Sequence, residues 1–182
     1  ALQLLQSLAA GVVYEVGEGV TQFKVGDRIM PHNSAPCNHC YYCRVGDYSI
    51  CDDPTFTSGG WCEYKLIPAP IVEQNTFIIP KGISYAAGAM IEPLGSAVHG
   101  IEKSEVTLMD TVAINGAGPL GLMMAKTAKL RGAYVIICDF SADRLKRAEM
   151  LGADEMINLN DVKDQVQAVR DCTPNSRGVD AA

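Results

Sequence analysis

The sequence lacks an excess of basic residues and a long hydrophobic run, and its N-terminal stretch predicts no secretory signal. Its 182 residues carry 15 basic and 21 acidic side chains, a formal net charge of −6, and the two signs are interspersed. This balance predicts no nucleic-acid partner and no anionic-membrane partner. The longest apolar stretches are interrupted well before the roughly 20 residues that a membrane span requires.

The N-terminal stretch also lacks the basic residues that open a secretory signal, and Gln3 and Gln6 interrupt its apolar run. We therefore predict a cytoplasmic protein, in a compartment that keeps thiols reduced. The chain has seven cysteines, and an odd number argues against a disulfide framework. An apolar content of 48% is ample for the hydrophobic core of one domain or of two small ones.

Four of the cysteines form a compact motif, C-x2-C-x2-C-x7-C, made of Cys37, Cys40, Cys43 and Cys51. Two-residue gaps let a tight turn present successive thiolates to one ion, and four thiolates complete a tetrahedral zinc site. Such a site leaves no position for water, so the predicted zinc is structural. Disulfides or unrelated buried thiols are the alternatives. His39 could replace one thiolate, but we interpret it as exposed loop.

A glycine-rich loop is the second motif. The apolar run Thr111–Asn115 leads into G-x-G-x-x-G, a helix is predicted over 122–130, and a second buried strand over 134–138 is closed by an acid. Further along, the pattern predicts a third strand over 155–158, a helix over 161–172 and the start of a fourth strand over 178–180. This order is typical of a dinucleotide-binding βαβ unit, whereas an isolated glycine motif would be weak. The predicted binding residues are Gly116, Gly118, Pro119, Leu120, Gly121, Asp139 and Arg144.

Each part of this loop has a physical role. Gly116 permits the tight turn, Gly118 lets the backbone approach a pyrophosphate, and Gly121 allows close packing of the helix. The helix N-terminus offers free amides to phosphates. Asp139 can accept hydrogen bonds from both ribose hydroxyls and would repel a 2′-phosphate, which favours NAD over NADP. Arg144, on a helix that Ser141 could cap, either flanks the adenine or lies on a solvated face.

The motifs together resemble the zinc-containing medium-chain dehydrogenases of the alcohol, polyol and threonine dehydrogenase superfamily. The resemblance runs from about Gly11 to the last residue, through the cysteine lobe, the segment 59–64, Ile91-Glu92-Pro93-Leu94 and the glycine loop. It implies an α/β protein with a partial GroES-like β-rich domain over 1–105. A partial Rossmann domain, a doubly wound parallel sheet, is expected over 106–182. Short strands are predicted at 11–16 and 63–67, with Cys62 as a small hydrophobe in a strand.

The resemblance also implies a catalytic zinc in the parent enzyme that we do not expect in this chain. Its Gly-His-Glu motif would fall on Gln6-Ser7-Leu8, which lacks the imidazole and the carboxylate. We therefore expect a chain truncated at both ends. The matching glutamate of the polyol and threonine branches makes Glu92 a remnant of the catalytic site, although a plain helix cap is the alternative. His99 is interpreted as a cleft or core histidine, not a ligand.

Two functions of different classes follow. The first is a portion of an oxidoreductase that transfers hydride from a secondary alcohol, of polyol or β-hydroxy amino acid type, to NAD, with a small-molecule substrate. The complete enzyme is expected to be a homo-oligomer, and the chain alone to be inactive. The alternative is a catalytically inactive remnant that binds zinc and NAD in a regulatory role. A zinc-ribbon interaction module is a weaker reading, because the chain has no basic surface.

Overall fold

The computed structural model describes residues 9–182, and the described chain divides into two compact units between Glu92 and Pro93. The residues expected at the Gly-His-Glu position, Gln6-Ser7-Leu8, lie outside the described residues. The units divide earlier than the predicted domain boundary near residue 105. The physical reason is that Ile101 is buried in the core of the second unit. The assignment of 1–105 and 106–182 to family domains stays a prediction.

The first unit consists of short strands and helices. Strands β1, β2 and β5 form an antiparallel sheet in the order β1-β2-β5, and β3 pairs with β4. In chain order the elements are β1 (Gly11–Val12), β2 (Arg28–Pro31), β3 (Ser34–Ala35), α1 (Tyr41–Val45), β4 (Thr55–Phe56), α2 (Ala69–Gln74), β5 (Thr76–Ile78) and α3 (Tyr85–Ala89).

Two sequence predictions in this unit are wrong. The segment 63–67 forms no strand, and Cys62 lies exposed in a bend, where its thiol lies 3.2 Å from the carbonyl oxygen of Gly59. An alternating apolar pattern makes a strand only where a neighbouring strand supplies hydrogen bonds, and the described residues offer none to this segment. The predicted strand over 11–16 is also shorter, since β1 ends at Val12.

The second unit confirms the predicted alternation of strands and helices. Strands β6, β7 and β8 pair in parallel in that order, with Ile114 opposite Ile137 and Ile137 opposite Met156. Val112 also forms a parallel bridge with Ala181, where a fourth strand was predicted to start. The elements are α4 (Ile91–Lys103), β6 (Thr111–Asn115), α5 (Pro119–Leu130), β7 (Tyr134–Asp139), α6 (Ala142–Met150), β8 (Glu155–Asn158) and α7 (Gln165–Asp171).

Strand β7 is buried on both faces, as the middle strand of a parallel sheet must be. Val135 and Ile137 join the core on one face, while Ile136 and Cys138 join the core on the other. Each fully buried branched side chain of this kind contributes about 1.5–3 kcal/mol. The predicted α/β class and the buried position of Cys138 are confirmed. Within residues 9–182, no helix combines the length and apolarity needed to cross a membrane.

Candidate zinc lobe and nucleotide site

The four predicted zinc ligands converge in the first unit. The sulfur atoms of Cys37, Cys40, Cys43 and Cys51 all lie within 4.8 Å of one another. Cys37 and Cys43 are 4.0 Å apart at sulfur, as are Cys40 and Cys51. Tetrahedral zinc with bonds of about 2.3 Å would hold its sulfurs about 3.8 Å apart. The cluster therefore fits one zinc ion with little movement, and all four cysteines are free thiols.

Local structure explains how the lobe is built. Cys40 is the N-cap of α1, and its sulfur accepts a hydrogen bond from the Cys43 backbone N–H at 3.5 Å. The N–H groups of Cys37 and Cys40 donate in turn to the sulfurs of Cys51 and Cys37. Gly46 ends α1 with φ +91°, a conformation that glycine adopts without strain. Backbone N–H groups aimed at sulfur stabilise thiolates, which is the form that binds metal.

The thiols differ in their electrostatic environments. Backbone hydrogen bonds from Asp52 and then Cys43 lower the pKa of Cys40, whereas burial raises the pKa of Cys43. The exposed His39 stays outside the cluster, with its Nδ1 atom 2.8 Å from the carbonyl oxygen of Cys37. This placement agrees with the interpretation of His39 as loop.

The glycine loop begins directly at the end of β6. Gly116 has φ +99°, and its N–H donates to the carbonyl oxygen of Cys138 at 2.7 Å. Gly118 is the N-cap of α5, and Pro119 stands in the first helical turn, where a missing N–H costs nothing. No side chain caps this helix. Its first N–H groups and the positive end of its dipole are therefore available to an anion.

Gly118 and Gly121 are glycines for different reasons. A Cβ atom on Gly118 would meet nothing within 4 Å, so the space above this residue is open to a ligand. A Cβ atom on Gly121 would lie 1.9 Å from the carbonyl oxygen of Gly116, which excludes any side chain there. The roles predicted from the sequence, close ligand approach and close packing, correspond to these two environments.

Asp139 ends β7 with its carboxylate held in place by the backbone. Its Oδ2 atom accepts from the N–H of Ala117 and its Oδ1 atom from the N–H of Ser141, both at 2.7 Å. The pKa of Asp139 lies below its usual range, although burial opposes this shift. The largest cause is the hydrogen bond from the Ser141 N–H, followed by the bond from the Ala117 N–H and the charge of Arg144. Each oxygen retains a further lone pair that can accept a ribose hydroxyl.

A groove of about 520 Å³ joins these features, and its lining includes Gly118, Leu120, Asp139 and Arg144. The Arg144 side chain is 58% exposed, with its guanidinium 3.7 Å from the Asp139 carboxylate, and Ser141 caps its helix α6 as predicted. The open space above Gly118, the uncapped helix and the fixed carboxylate fit a dinucleotide with its pyrophosphate at the helix N-terminus.

Glu92 has a partner that the sequence did not reveal. It lies inside the first turn of α4, which begins at Ile91, so the alternative of a plain helix cap at Glu92 is wrong by two residues. Its Oε1 atom lies 3.7 Å from Nε2 of His32. No local pattern could have found this pair, because 59 residues separate the two positions. His99 is exposed on α4, so it is not a core histidine, and its predicted place in a cleft stays a prediction.

Fold and site together define a class of protein: a nucleotide-binding α/β oxidoreductase with a four-cysteine zinc lobe. Residues 5–77 match the alcohol dehydrogenase GroES-like domain, and residues 119–182 match the zinc-binding dehydrogenase family. The chain belongs to the zinc-containing medium-chain dehydrogenase/reductase family, as its motifs predicted. The GroES-like and Rossmann-like character of its two parts is thereby confirmed.

Its relatives include named enzymes of known substrate. It is 35% identical over 179 residues to sorbitol dehydrogenase of Bacillus subtilis, covering 95% of this chain and 49% of that enzyme. It is 37% identical over 169 residues to L-threonine 3-dehydrogenase of Symbiobacterium thermophilum, covering 90% and 46% respectively. The chain therefore spans about half the length of the curated relatives it matches.

Solved structures agree with this family. A dehydrogenase of Escherichia coli CFT073, described as a short chain alcohol dehydrogenase complexed with NADH, superposes with a TM-score of 0.74. It is 34% identical, and the match covers 82% of this chain and 45% of that one. The family match, the cysteine cluster and this complex support zinc and NAD as the cofactors.

Proposed function

We propose that the chain is part of an NAD-dependent zinc oxidoreductase that takes hydride from a secondary alcohol. The names of the sorbitol and threonine dehydrogenase relatives, together with Glu92-Pro93, support a polyol or β-hydroxy amino acid as substrate. The alternative of an inactive binding remnant is not favoured, because the relatives are named as dehydrogenases.

The observation that carries the proposal is the fixed carboxylate of Asp139 beside the glycine loop. Its two oxygens are held by Ala117 and Ser141, so no rotation is needed before a ribose diol binds. A carboxylate in this position attracts two hydroxyls and repels a phosphate on the same ribose. Asp139 is therefore the residue that selects NAD.

The other residues of the site bind and orient the cofactor. The open space above Gly118 holds the pyrophosphate, and the N-terminus of α5 stabilises the negative charge of that group. Leu120 and Arg144, both exposed at the groove, cover the flanks of the bound nucleotide. Bound NAD supplies the acceptor for the hydride that leaves the alcohol carbon.

The zinc lobe has a structural role in this proposal. Its four thiolates fill a tetrahedron, so zinc there holds the loop over 37–51 together without contacting substrate. In a reducing compartment these cysteines do not form disulfides and stay able to bind zinc, which supports a cytoplasmic protein. The complete enzyme is proposed to be a homo-oligomer.

Calorimetric titration of the purified chain with NAD and with NADP tests the proposal. We expect NAD to bind at least tenfold more tightly, about 1.4 kcal/mol. Asp139→Ala should abolish that preference, whereas Asp161→Ala, at an exposed aspartate outside the groove, should preserve it. Equal affinities in the unmodified chain would overturn the role of Asp139.

A further inference from the structure

The side chains of Asn115 and Gln165 meet at the carboxyl edge of the parallel sheet. Asn115 is the last residue of β6, and Gln165 is the first residue of α7, 50 positions further along the chain. The Nε2 group of Gln165 donates a hydrogen bond to Oδ1 of Asn115. This bond joins the strand that precedes the glycine loop to a helix outside the site described above.

Helix α7 reaches this edge from the face of the sheet opposite to α5. Ala125 of α5 belongs to the core on one face, whereas Val169 of α7 belongs to the core on the other. Strand β6 lies between β7 and Ala181, so the helices change faces at β6. In open α/β sheets, ligands bind in the crevice at such a change. Asn115 therefore stands at the crevice, and it lines the same groove as Asp139.

The bond to Gln165 fixes the orientation of the Asn115 amide. Because Oδ1 accepts from Gln165, the two hydrogens of Nδ2 are left for another acceptor. Within residues 9–182, Nδ2 donates to no protein atom, and the side chain is exposed. Burial raises the pKa of the neighbouring Cys138, and a hydrogen bond from Gln165 opposes that rise, as an N–H directed at sulfur would. The groove thus contains an amide donor that is still available.

The position of the ribose decides which acceptor this donor meets. Asn115 pairs in the sheet with Cys138, the residue directly before Asp139, and neighbouring strands lie about 4.8 Å apart. The amide is therefore close to the ribose that Asp139 is proposed to hold. The adenine base is bonded to this ribose. Among the acceptor nitrogens of its six-membered ring, N3 is the one nearest the sugar.

We infer that Asn115 is a specificity-determining residue of the cofactor site, whose Nδ2 group donates a hydrogen bond to N3 of the adenine of bound NAD. Gln165 is the positioning residue that holds the amide in this orientation. The inference rests on the proposed function, since it requires NAD in the groove. It adds recognition of the base to the recognition of the ribose by Asp139.

The test is calorimetric titration of the chain with NAD and with its 3-deaza analogue, in which a C–H group replaces N3 of adenine. We expect the unmodified chain to bind the analogue at least about threefold more weakly, the scale of one neutral hydrogen bond. Asn115→Leu lacks the donor and should bind both ligands equally. The 7-deaza analogue keeps N3 and should bind the unmodified chain like NAD.

Gln165→Glu tests the positioning role. A carboxylate at this position cannot donate to Oδ1 but accepts from Nδ2, which turns the Asn115 amide around, so the preference for NAD over the 3-deaza analogue should disappear. Gln167→Glu, at an exposed position of the same helix, adds the same charge and should keep the preference. Each variant is compared with itself on two ligands, so a partly unfolded sample does not alter the ratio of affinities.

Equal binding of NAD and the 3-deaza analogue by the unmodified chain would overturn the inference. A preference that survives in Asn115→Leu would overturn it too, and a preference that survives in Gln165→Glu would overturn the positioning role. These results leave the proposed function standing as long as the chain binds NAD more tightly than NADP. Absence of NAD binding would overturn the proposed function, and this inference with it.

Discussion

The Oδ2 atom of Asp139 accepts a hydrogen bond from the backbone N–H of Ala117 at 2.7 Å, and both groups are buried. The bond ties the end of one strand to the glycine loop that follows the neighbouring strand. The carboxylate that is proposed to hold the ribose therefore also fixes the loop that is proposed to hold the pyrophosphate. Binding and stability depend on the same ionised group.

Replacement of Asp139 by Asn should destabilise the chain in a pH-dependent way. The pKa of Asp139 is lowered on folding, chiefly by the Ser141 N–H, so its stabilisation is complete above the unfolded pKa of about 3.9. It is lost as pH falls through the lower folded pKa. We expect urea unfolding to show a deficit of about 1.5–3 kcal/mol for Asp139→Asn at pH 7, the scale of hydrogen bonds to a charged group.

This deficit should stay constant from pH 7 to about pH 5 and shrink below about pH 4. Asp161→Asn removes an equal charge from an exposed position and should change the free energy of unfolding by less than about 0.5 kcal/mol. A deficit that grew toward low pH would have the wrong sign for a lowered pKa.

Alanine at the two glycines of the loop should give opposite results. Gly121→Ala forces a Cβ atom onto the Gly116 carbonyl oxygen, so it should cost at least about 2 kcal/mol of stability. Gly118→Ala meets no atom within 4 Å and should fold normally, yet bind NAD at least tenfold more weakly, because its methyl group occupies the pyrophosphate space. Thermal unfolding and NAD titration of both variants distinguish the effects. Normal NAD affinity in Gly118→Ala would show that the pyrophosphate does not bind above Gly118.

Removal of one thiolate should empty the zinc lobe. Cys40→Ser should lose zinc and become sensitive to protease around residues 37–51, because three thiolates leave the ion exposed to water. Cys62→Ser is the control, since this exposed cysteine lies outside the cluster. Metal analysis and limited proteolysis of the two variants provide the measurement. Full zinc occupancy in Cys40→Ser would refute the four-thiolate assignment.

The parts of the site that the sequence predicted are those whose signal is local. The cysteine spacing and the glycine motif each lie within about fifteen residues, where chain geometry decides which atoms meet. The strand over Glu155–Asn158 was likewise predicted with the observed bounds. Helix α7 was predicted too long, over 161–172. Asp164 starts it by capping the N–H of Gln167, a signal that was present in the sequence.

Contacts between distant residues could not be predicted. Two contacts join positions 60 or more residues apart with no motif at either end: the pair of His32 and Glu92, and the bond from the Thr111 N–H to Asp180. The prediction of a strand around Cys62 was wrong for a related reason. Its residue types favour a strand, but pairing depends on a neighbour that the local sequence does not describe.

This chain alone should not oxidise alcohols. The family resemblance places a metal-binding histidine and glutamate at Ser7 and Leu8, and a neutral hydroxyl and an alkyl group cannot replace them. Glu92 by itself cannot hold a divalent ion open to substrate. We expect no NADH formation from polyols, threonine or simple secondary alcohols at added zinc, while sorbitol dehydrogenase of Bacillus subtilis serves as the positive control. Zinc-dependent turnover by the unmodified chain, abolished by a chelator, would show that other residues hold the catalytic metal.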